Sequence, residues 1–241
     1  MNPDFDDPPI RGIVLDAVGT IIEPRPSVSE AYAQAAMRQG CAIDVDVLKT
    51  RFRDAFAIDE IDEQRGALAT NEETEFRRWK HIVEKCLPQV PDPGRAFEEL
   101  WAHFADPSSW IVFPDVLETV QTLKARGFHI CVASNFDGRL RRVAAGLEDL
   151  RNWIEPLVIS SEVGYRKPHP AFYRAACERL DLDPKHVLCV GDDLANDVEG
   201  PRRAGIRSIL IDRRGSESSQ IPSLRDLNAL VDLLGKTSLR D

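Results

Sequence analysis

The feature that most constrains this chain is a rhythm that begins after Pro107. Short apolar runs alternate with segments of helical spacing all the way to the C-terminal region. FHICVASN, PLVISSEVG, HVLCVGDD and RSILIDR read as strands. PDVLETVQTLKARG, GRLRRVAAGL, HPAFYRAACERLDL, LANDVEGPRRAG and SLRDLNALVDLLGK read as helices. Gly127 is placed to stop the first of these helices and Pro201 to kink or end the fourth. Strands separated by helices of this length pair in parallel through right-handed crossovers. Strands that are almost wholly apolar are covered on both faces. An earlier run, IRGIVLDAVGT at residues 10–20, has the same character and breaks into a turn at Asp16. The expected fold class is α/β, with a doubly wound, parallel, Rossmann-like sheet.

The first strand is cut off from the others by a stretch of different character. From about Ser27 to Ala105 the apolar residues recur at helical spacing in SEAYAQAAMRQG, VDVLKTRFRDAFAIDEI, NEETEFRRWKHIVEKCL and GRAFEELWAHFA. Ser27, Asp44 and Asn71 stand where N-caps belong. Pro88, Pro91 and Pro93 mark a connection between helices, and no strand is expected here. The expected organisation is an α/β core of residues 1–23 and 107–241 with an all-helical cap, residues 24–106, inserted after the first strand. No internal repeat or low-complexity segment is evident, and RRGSESSQIP reads as a solvated loop.

Composition narrows the function classes. A chain of 241 residues can bury a core and carry a smaller cap. A net charge of −9 repels phosphate backbones, so no nucleic-acid partner is expected, although a local basic spot can still hold one small anion. The five cysteines form no CxxC pair, which points to reduced thiols packed as small core residues rather than to a zinc or disulfide framework. MNPDFDDPP is acidic and proline-rich and is not a signal peptide. No apolar run approaches the roughly 20 residues of a membrane span, so the expectation is a cytoplasmic protein with no membrane partner, its oligomeric state open.

In open α/β sheets ligands bind beyond the carboxyl ends of the strands. The residues just past those ends are Asp16 with Val18 and Gly19, then Ser134 and Asn135, then Lys167 in GYRKPHP, and finally Asp192 and Asp193 with Asp197 further on. The set has a chemical logic. A carboxylate such as Asp16 attacks phosphorus or an alkyl carbon to form a covalent intermediate. Its charge repels a phosphate dianion, and that repulsion calls for a metal and a cation. Asp16 and Asp192 can share one Mg2+ through hard oxygen ligands. Lys167 can neutralise nucleophile and substrate, Ser134 and nearby N–H groups can hold the transferring oxygens, and Gly19 permits the tight turn.

LDAVGT, ASN, GYRKPHP and VGDDLAND resemble, in order and spacing, the four signature motifs of the haloacid dehalogenase superfamily. The resemblance covers nearly the whole chain, and the helical insertion resembles the type 1 cap. It implies a hydrolase acting on small phosphorylated metabolites with Mg2+ as cofactor. By position, Asp16 would be the nucleophile that forms an aspartyl-phosphate. Asp16, the backbone carbonyl of Val18 and Asp192 would ligate Mg2+, supported by Asp197. Ser134 would bind the phosphoryl group, with Asn135 and Gly19 beside the substrate, and Lys167 would stabilise charge.

One position departs from the phosphatase pattern. Two residues after the nucleophile those relatives carry a second Asp, the general acid and base, and here Val18 stands there. Such help is typically worth ~10²–10⁴-fold. Three readings follow. The first is a phosphatase or phosphotransferase with altered acid–base chemistry, the proton coming from the cap or the substrate; Glu23, His81 and Arg53 are candidates without a placement. Its phosphonatase variant would need a Schiff-base lysine from the cap, for which Lys49, Lys80 and Lys85 offer no matching context. The second is a metal-free 2-haloacid dehalogenase, whose relatives carry DAYGT and Ser-Asn; against it stand the acids of GDDLAND and the lack of a visible halide cradle. The third is a catalytically degenerate binding protein. Elsewhere the sequence favours structural roles: Asp193 as an N-cap, Phe76, Trp79, Phe97, Trp101 and Phe104 as cap core, Arg139, Arg141 and Arg142 as a solvated helix face, and no role for any histidine.

Overall fold

The computed structural model describes residues 8–65, 68–215 and 222–235. MNPDFDD and most of the expected solvated loop near residue 218 lie outside the described residues. Strands β1 (Gly12–Leu15), β2 (Ile22–Pro24), β3 (Trp110–Val112), β4 (His129–Ser134), β5 (Leu157–Ile159), β6 (Val187–Gly191), β7 (Arg207–Ile211) and β8 (Ser223–Leu224) form two sheets. The larger has the order β5-β4-β1-β6-β7-β8, and every neighbouring pair in it is parallel. Counted among its own strands this is the doubly wound order 3-2-1-4-5-6, whose direction of winding reverses between β1 and β6. The α/β fold class read from the sequence is therefore the one observed.

The period-2 geometry of the central strand explains its composition. Ile13 and Leu15 pack into one apolar cluster with Val116, Val120 and Leu140, whereas Val14 joins a second cluster with Phe172, Tyr173 and Cys189. A strand buried on both faces has no position for a polar side chain until it leaves the sheet, and it leaves at Asp16. Helices α1 (Val28–Met37), α2 (Val45–Arg65), α3 (Glu72–Cys86) and α4 (Pro93–His103) follow β1 and β2 and enclose a third cluster, including Tyr32, Ala35, Ile82 and Leu100. The expected caps are in place. Ser27 and Glu30 form a capping box, Asn71 Oδ1 accepts from Thr74 N at 2.9 Å, and Asp44 Oδ1 accepts from Asp46 N at 2.8 Å. Helices α5 (Val116–Ala125), α6 (Arg139–Gly146), α7 (Glu148–Arg151), α8 (Ser160–Val163), α9 (Pro170–Leu180), α10 (Gly200–Arg203) and α11 (Asn228–Gly235) complete the layers around the larger sheet. None of the described helices is long and apolar enough to cross a membrane.

The structure departs from the sequence reading in four places. Strands β2 and β3 pair antiparallel, Ile22 opposite Val112, where the chain enters and leaves the helical region; three residues each are too few to announce a strand. The strand read through PLVISSEVG ends at Ile159 and turns into α8. The segment LANDVE is wound as a π-helix ahead of α10, whose first turn contains Pro201. The last helix begins at Asn228 rather than Ser223, because Ser223 and Leu224 add a parallel edge strand to β7. Of the five thiols, Cys86, Cys131, Cys177 and Cys189 are buried and all are free.

Leu15 is fully buried where β1 meets both neighbours. Leu15→Ala is expected to lower unfolding free energy by roughly 2–5 kcal/mol, read as a shift of the urea midpoint with an unchanged slope.

Candidate active site

The carboxyl ends of β1, β4 and β6 converge on one cluster of charge. Asp16 follows β1, its N–H donating to the Val190 carbonyl at 2.9 Å, so the sheet ladder itself aims the carboxylate. Lys167 reaches in from the loop before α9. Its Nζ donates to Asp16 Oδ1 at 2.7 Å and to Asp197 Oδ1 at 2.8 Å. Asp16 and Lys167 are 9% and 5% exposed, so this bridge is largely shielded from water. The other oxygen of Asp197 accepts from Asp193 N at 3.1 Å, while Asp193 Oδ1 accepts from Asn196 N as the expected N-cap.

Two glycines admit the close approaches. Gly19 has φ +91, and a Cβ there would sit 2.2 Å from Asp192 Oδ2, so the Asp192 carboxylate lies against bare backbone. A Cβ on Gly191 would likewise stand 2.3 Å from Asp197 Cγ. Carboxylate oxygens of Asp16, Asp192 and Asp197 thereby come within 4.8 Å of one another.

One ammonium is shared by Asp16 and Asp197 with Asp192 alongside, and the crowding is felt at Asp16 and Asp192. Burial pushes Asp16 up to about 8; Lys167 works against that, while Asp197 and Asp192 add to it. Burial against the sheet end, then Asp197, pushes Asp192 up to about 6, although its carboxylate opens on the cavity, where solvent screens the effect. Burial alone would depress Lys167, but Asp16 and Asp197 outweigh it and hold the ammonium well above the ordinary lysine value. The donor set is all hard oxygen and carries surplus negative charge, which fits a divalent cation such as Mg2+.

A cavity of about 310 Å³ opens over this cluster and extends to the helices α1 to α4. Asp16, Val18, Ser134, Asn135, Lys167, Asp192 and Asp197 all line it, and Gly19 lies beneath Asp192. The structure thus brings together every residue singled out from the strand ends. Asn135 has a different employment from the one expected. Its amide is taken up by the backbone of Lys167, donating to the carbonyl at 3.1 Å and accepting from the N–H at 2.7 Å. It positions the lysine. Glu23, His81 and Arg53 are not among the lining residues, and Lys167 is the one lysine there among the described residues.

Two expectations about neighbouring residues are corrected. Trp79, Phe97, Trp101 and Phe104 belong to the helical core or pack on it, yet they also line the cavity. Arg139 lies not on a solvated face but along the cavity. It makes a two-point ion pair with buried Asp137, at 2.7 Å for each bond, and its guanidinium stacks 3.4 Å over the Trp101 ring centre. Arg141 instead pairs at the surface with Glu155 and Glu162. Sequence reasoning also missed Arg78 and Arg166, which line the cavity and flank the buried Glu75 at 3.6 Å each. The signal for Arg166 was its place beside Lys167. The backbone around it is tied to the helical region, Arg166 N donating to Leu68 O at 2.9 Å and Thr70 N to Gly164 O at 3.0 Å.

Residues 10–205 match the family model of haloacid dehalogenase-like hydrolases. Haloacid dehalogenase-like hydrolase domain-containing protein 3 of Mus musculus is 29% identical, over 95% of this chain and 96% of its own length. Ribulose-1,5-bisphosphate 5-phosphatase of Halopiger xanaduensis is 23% identical, over 92% and 98%. Among solved structures, a defluorinating L-2-haloacid dehalogenase superposes with a TM-score of 0.74 at 20% identity, over 94% of this chain and 95% of its own.

Two outcomes follow from the charge cluster. An acid whose folded value is raised holds more protons folded than unfolded, so its stability contribution is full below the ordinary 3.8 and is lost as pH climbs through the folded value. With EDTA, the melting temperature is expected to fall as pH rises from about 4 through 6 (Asp192) towards 8 (Asp16). Millimolar Mg2+ is expected to flatten that slope, and Asp192→Asn to weaken both effects. Gly19→Ala places a side chain at positive φ and against Asp192; a stability loss of roughly 1–2 kcal/mol and the disappearance of Mg2+-dependent stabilisation are expected, both measurable by thermal melts.

Proposed function

The chain belongs to the haloacid dehalogenase-like hydrolases and is a hydrolase, and we propose that within that family it is a Mg2+-dependent phosphatase or phosphotransferase acting on small phosphorylated metabolites through an aspartyl-phosphate on Asp16. The observation that carries this reading is the clustering of Asp16, Asp192 and Asp197 oxygens within 4.8 Å around the single ammonium of Lys167. A metal-free displacement has no use for a third carboxylate at that place. Bound Mg2+ would be held by Asp16, Asp192 and the Val18 carbonyl, backed by Asp197, and would offset the repulsion between nucleophile and phosphoryl oxygens.

The chain's own residues would do the rest. The sheet ladder at Val190 aims Asp16 at the phosphorus. Lys167, fixed by Asn135 at both its backbone atoms, neutralises Asp16 and meets the incoming anion. Ser134 stands at the end of β4 on the same cavity and would accept the phosphoryl group as hydrogen-bond donor. A core of residues 1–23 and 107–241 under a cap of residues 24–106 would close the site against water.

A second reading is favoured by one observation: Val18, which cannot give or take a proton, lines the cavity beside Asp16. Halide leaves without a proton, so a 2-haloacid dehalogenase tolerates this side chain, and one of the similar solved structures is such an enzyme.

Phosphate release from acetyl phosphate and 4-nitrophenyl phosphate, and halide release from 2-chloropropionate, separate the readings. The phosphatase reading expects phosphate release that needs Mg2+, stops with EDTA and falls to background in Asp16→Asn. Asp192→Asn is expected to raise the Mg2+ concentration required by roughly tenfold or more. Halide release that is indifferent to EDTA would transfer the assignment to the dehalogenase. Neither activity would leave a binding protein.

A further inference from the structure

Two features of the cavity point to the same leaving group. The first is its wall. On the helical side it is built from Tyr32, Phe52, Trp79, Phe97 and Trp101, with Phe52 and Trp79 lying nearly parallel, 19° apart with ring centres 6.4 Å apart. The guanidinium groups of Arg78, Arg166 and Arg139 interrupt this wall, but Arg78 and Arg166 pair with Glu75, and Arg139 pairs with Asp137 and covers the Trp101 face, so what the wall presents is mainly aromatic surface. A polyol leaving group would find few open partners for its hydroxyls there, whereas a flat ring gains contact and stacking. The second is Val18, apolar at the place where related phosphatases hold their proton donor. Without that donor, an alkoxide is a poor leaving group and a phenolate a tolerable one.

Resting on the phosphatase reading above, we propose that the substrate is an aryl phosphate, a monoester whose leaving group is a phenol seated against the aromatic wall. An Asp16 oxygen bonds to phosphorus as the P–O(aryl) bond breaks. The electron pair leaves on the aryl oxygen as phenolate, which takes a proton from solvent. Water then attacks the phosphorus of the aspartyl-phosphate, freeing the Asp16 carboxylate and yielding its proton to solvent. The sum is aryl phosphate plus water giving phenol plus phosphate.

The test compares phenyl phosphates of graded leaving-group pKa, butyl phosphate and glycerol phosphate as alkyl esters, and acetyl phosphate, all with the full chain and Mg2+. Aryl over alkyl kcat/KM is expected to exceed roughly 10²-fold, the scale of help a general acid supplies. Val18→Asp is expected to narrow that gap by raising alkyl turnover. Trp79→Ala is expected to lower kcat/KM for aryl phosphates, through KM, roughly tenfold more than for acetyl phosphate; should that variant not fold by circular dichroism, Phe52→Leu replaces it. Phenylphosphonate should quench tryptophan fluorescence of Asp16→Asn at lower concentration than methylphosphonate. Acetyl phosphate cleaved while aryl esters gain nothing over alkyl esters would overturn the substrate assignment and spare the phosphatase. No cleavage of any ester, acetyl phosphate included, would overturn both.

Discussion

The site is organised by one ammonium shared between two carboxylates. Lys167 sits at 2.7 and 2.8 Å from Asp16 and Asp197 and is almost wholly buried. Removing an ion from water costs several kcal/mol even after relaxation, so each of the three is held in place by the need of the others. The surrounding structure serves that bridge. Asn135 clamps the backbone of Lys167, Asp193 N anchors the far oxygen of Asp197, and the β1–β6 ladder fixes Asp16. Because β1 and β6 flank the point where the sheet reverses its winding, their loops diverge and leave a crevice, and the acids stand on its two sides.

The bridge is also unbalanced. One positive charge cannot satisfy Asp16, Asp197 and the adjoining Asp192; burial displaces both Asp16 and Asp192 upward, and the surplus of negative charge adds to it. Surplus negative charge of this kind is what a divalent cation would balance. The same economy explains why glycine stands at residue 19: the third carboxylate fits only against backbone that bears no side chain.

The chemistry of the crevice and the character of the cavity above it are set by different parts of the chain. The sheet ends supply the carboxylates and the ammonium, while α1 to α4 supply aromatic rings and the stacked Arg139–Trp101 pair closes part of the wall. Val18 lies where the two meet, a side chain with no proton to offer.

Much of this was legible in the residues alone. Apolar runs, turn residues and caps are local signals, so β1, β4, β6 and the caps at Ser27, Asp44 and Asn71 could be read directly, and Asp16, Ser134 and Asp192 followed because they stand at or one step past the ends of those strands. What the sequence could not determine depends on which surfaces meet. Arg139 looks solvated until Asp137 and Trp101 are seen beside it, and Trp79 and Phe97 look like pure core until the cavity runs past them. Asn135 looks like a ligand for substrate until its amide is found on Lys167, 32 residues away in the chain. The sequence determined the kind of fold and the residues at the strand ends, since periodicity and turn chemistry act over a few residues. Tertiary structure alone decided that Lys167 bridges Asp16 and Asp197, that Asp192 packs against Gly19, and that aromatic rings line the cavity, since a contact between distant segments has no local signature.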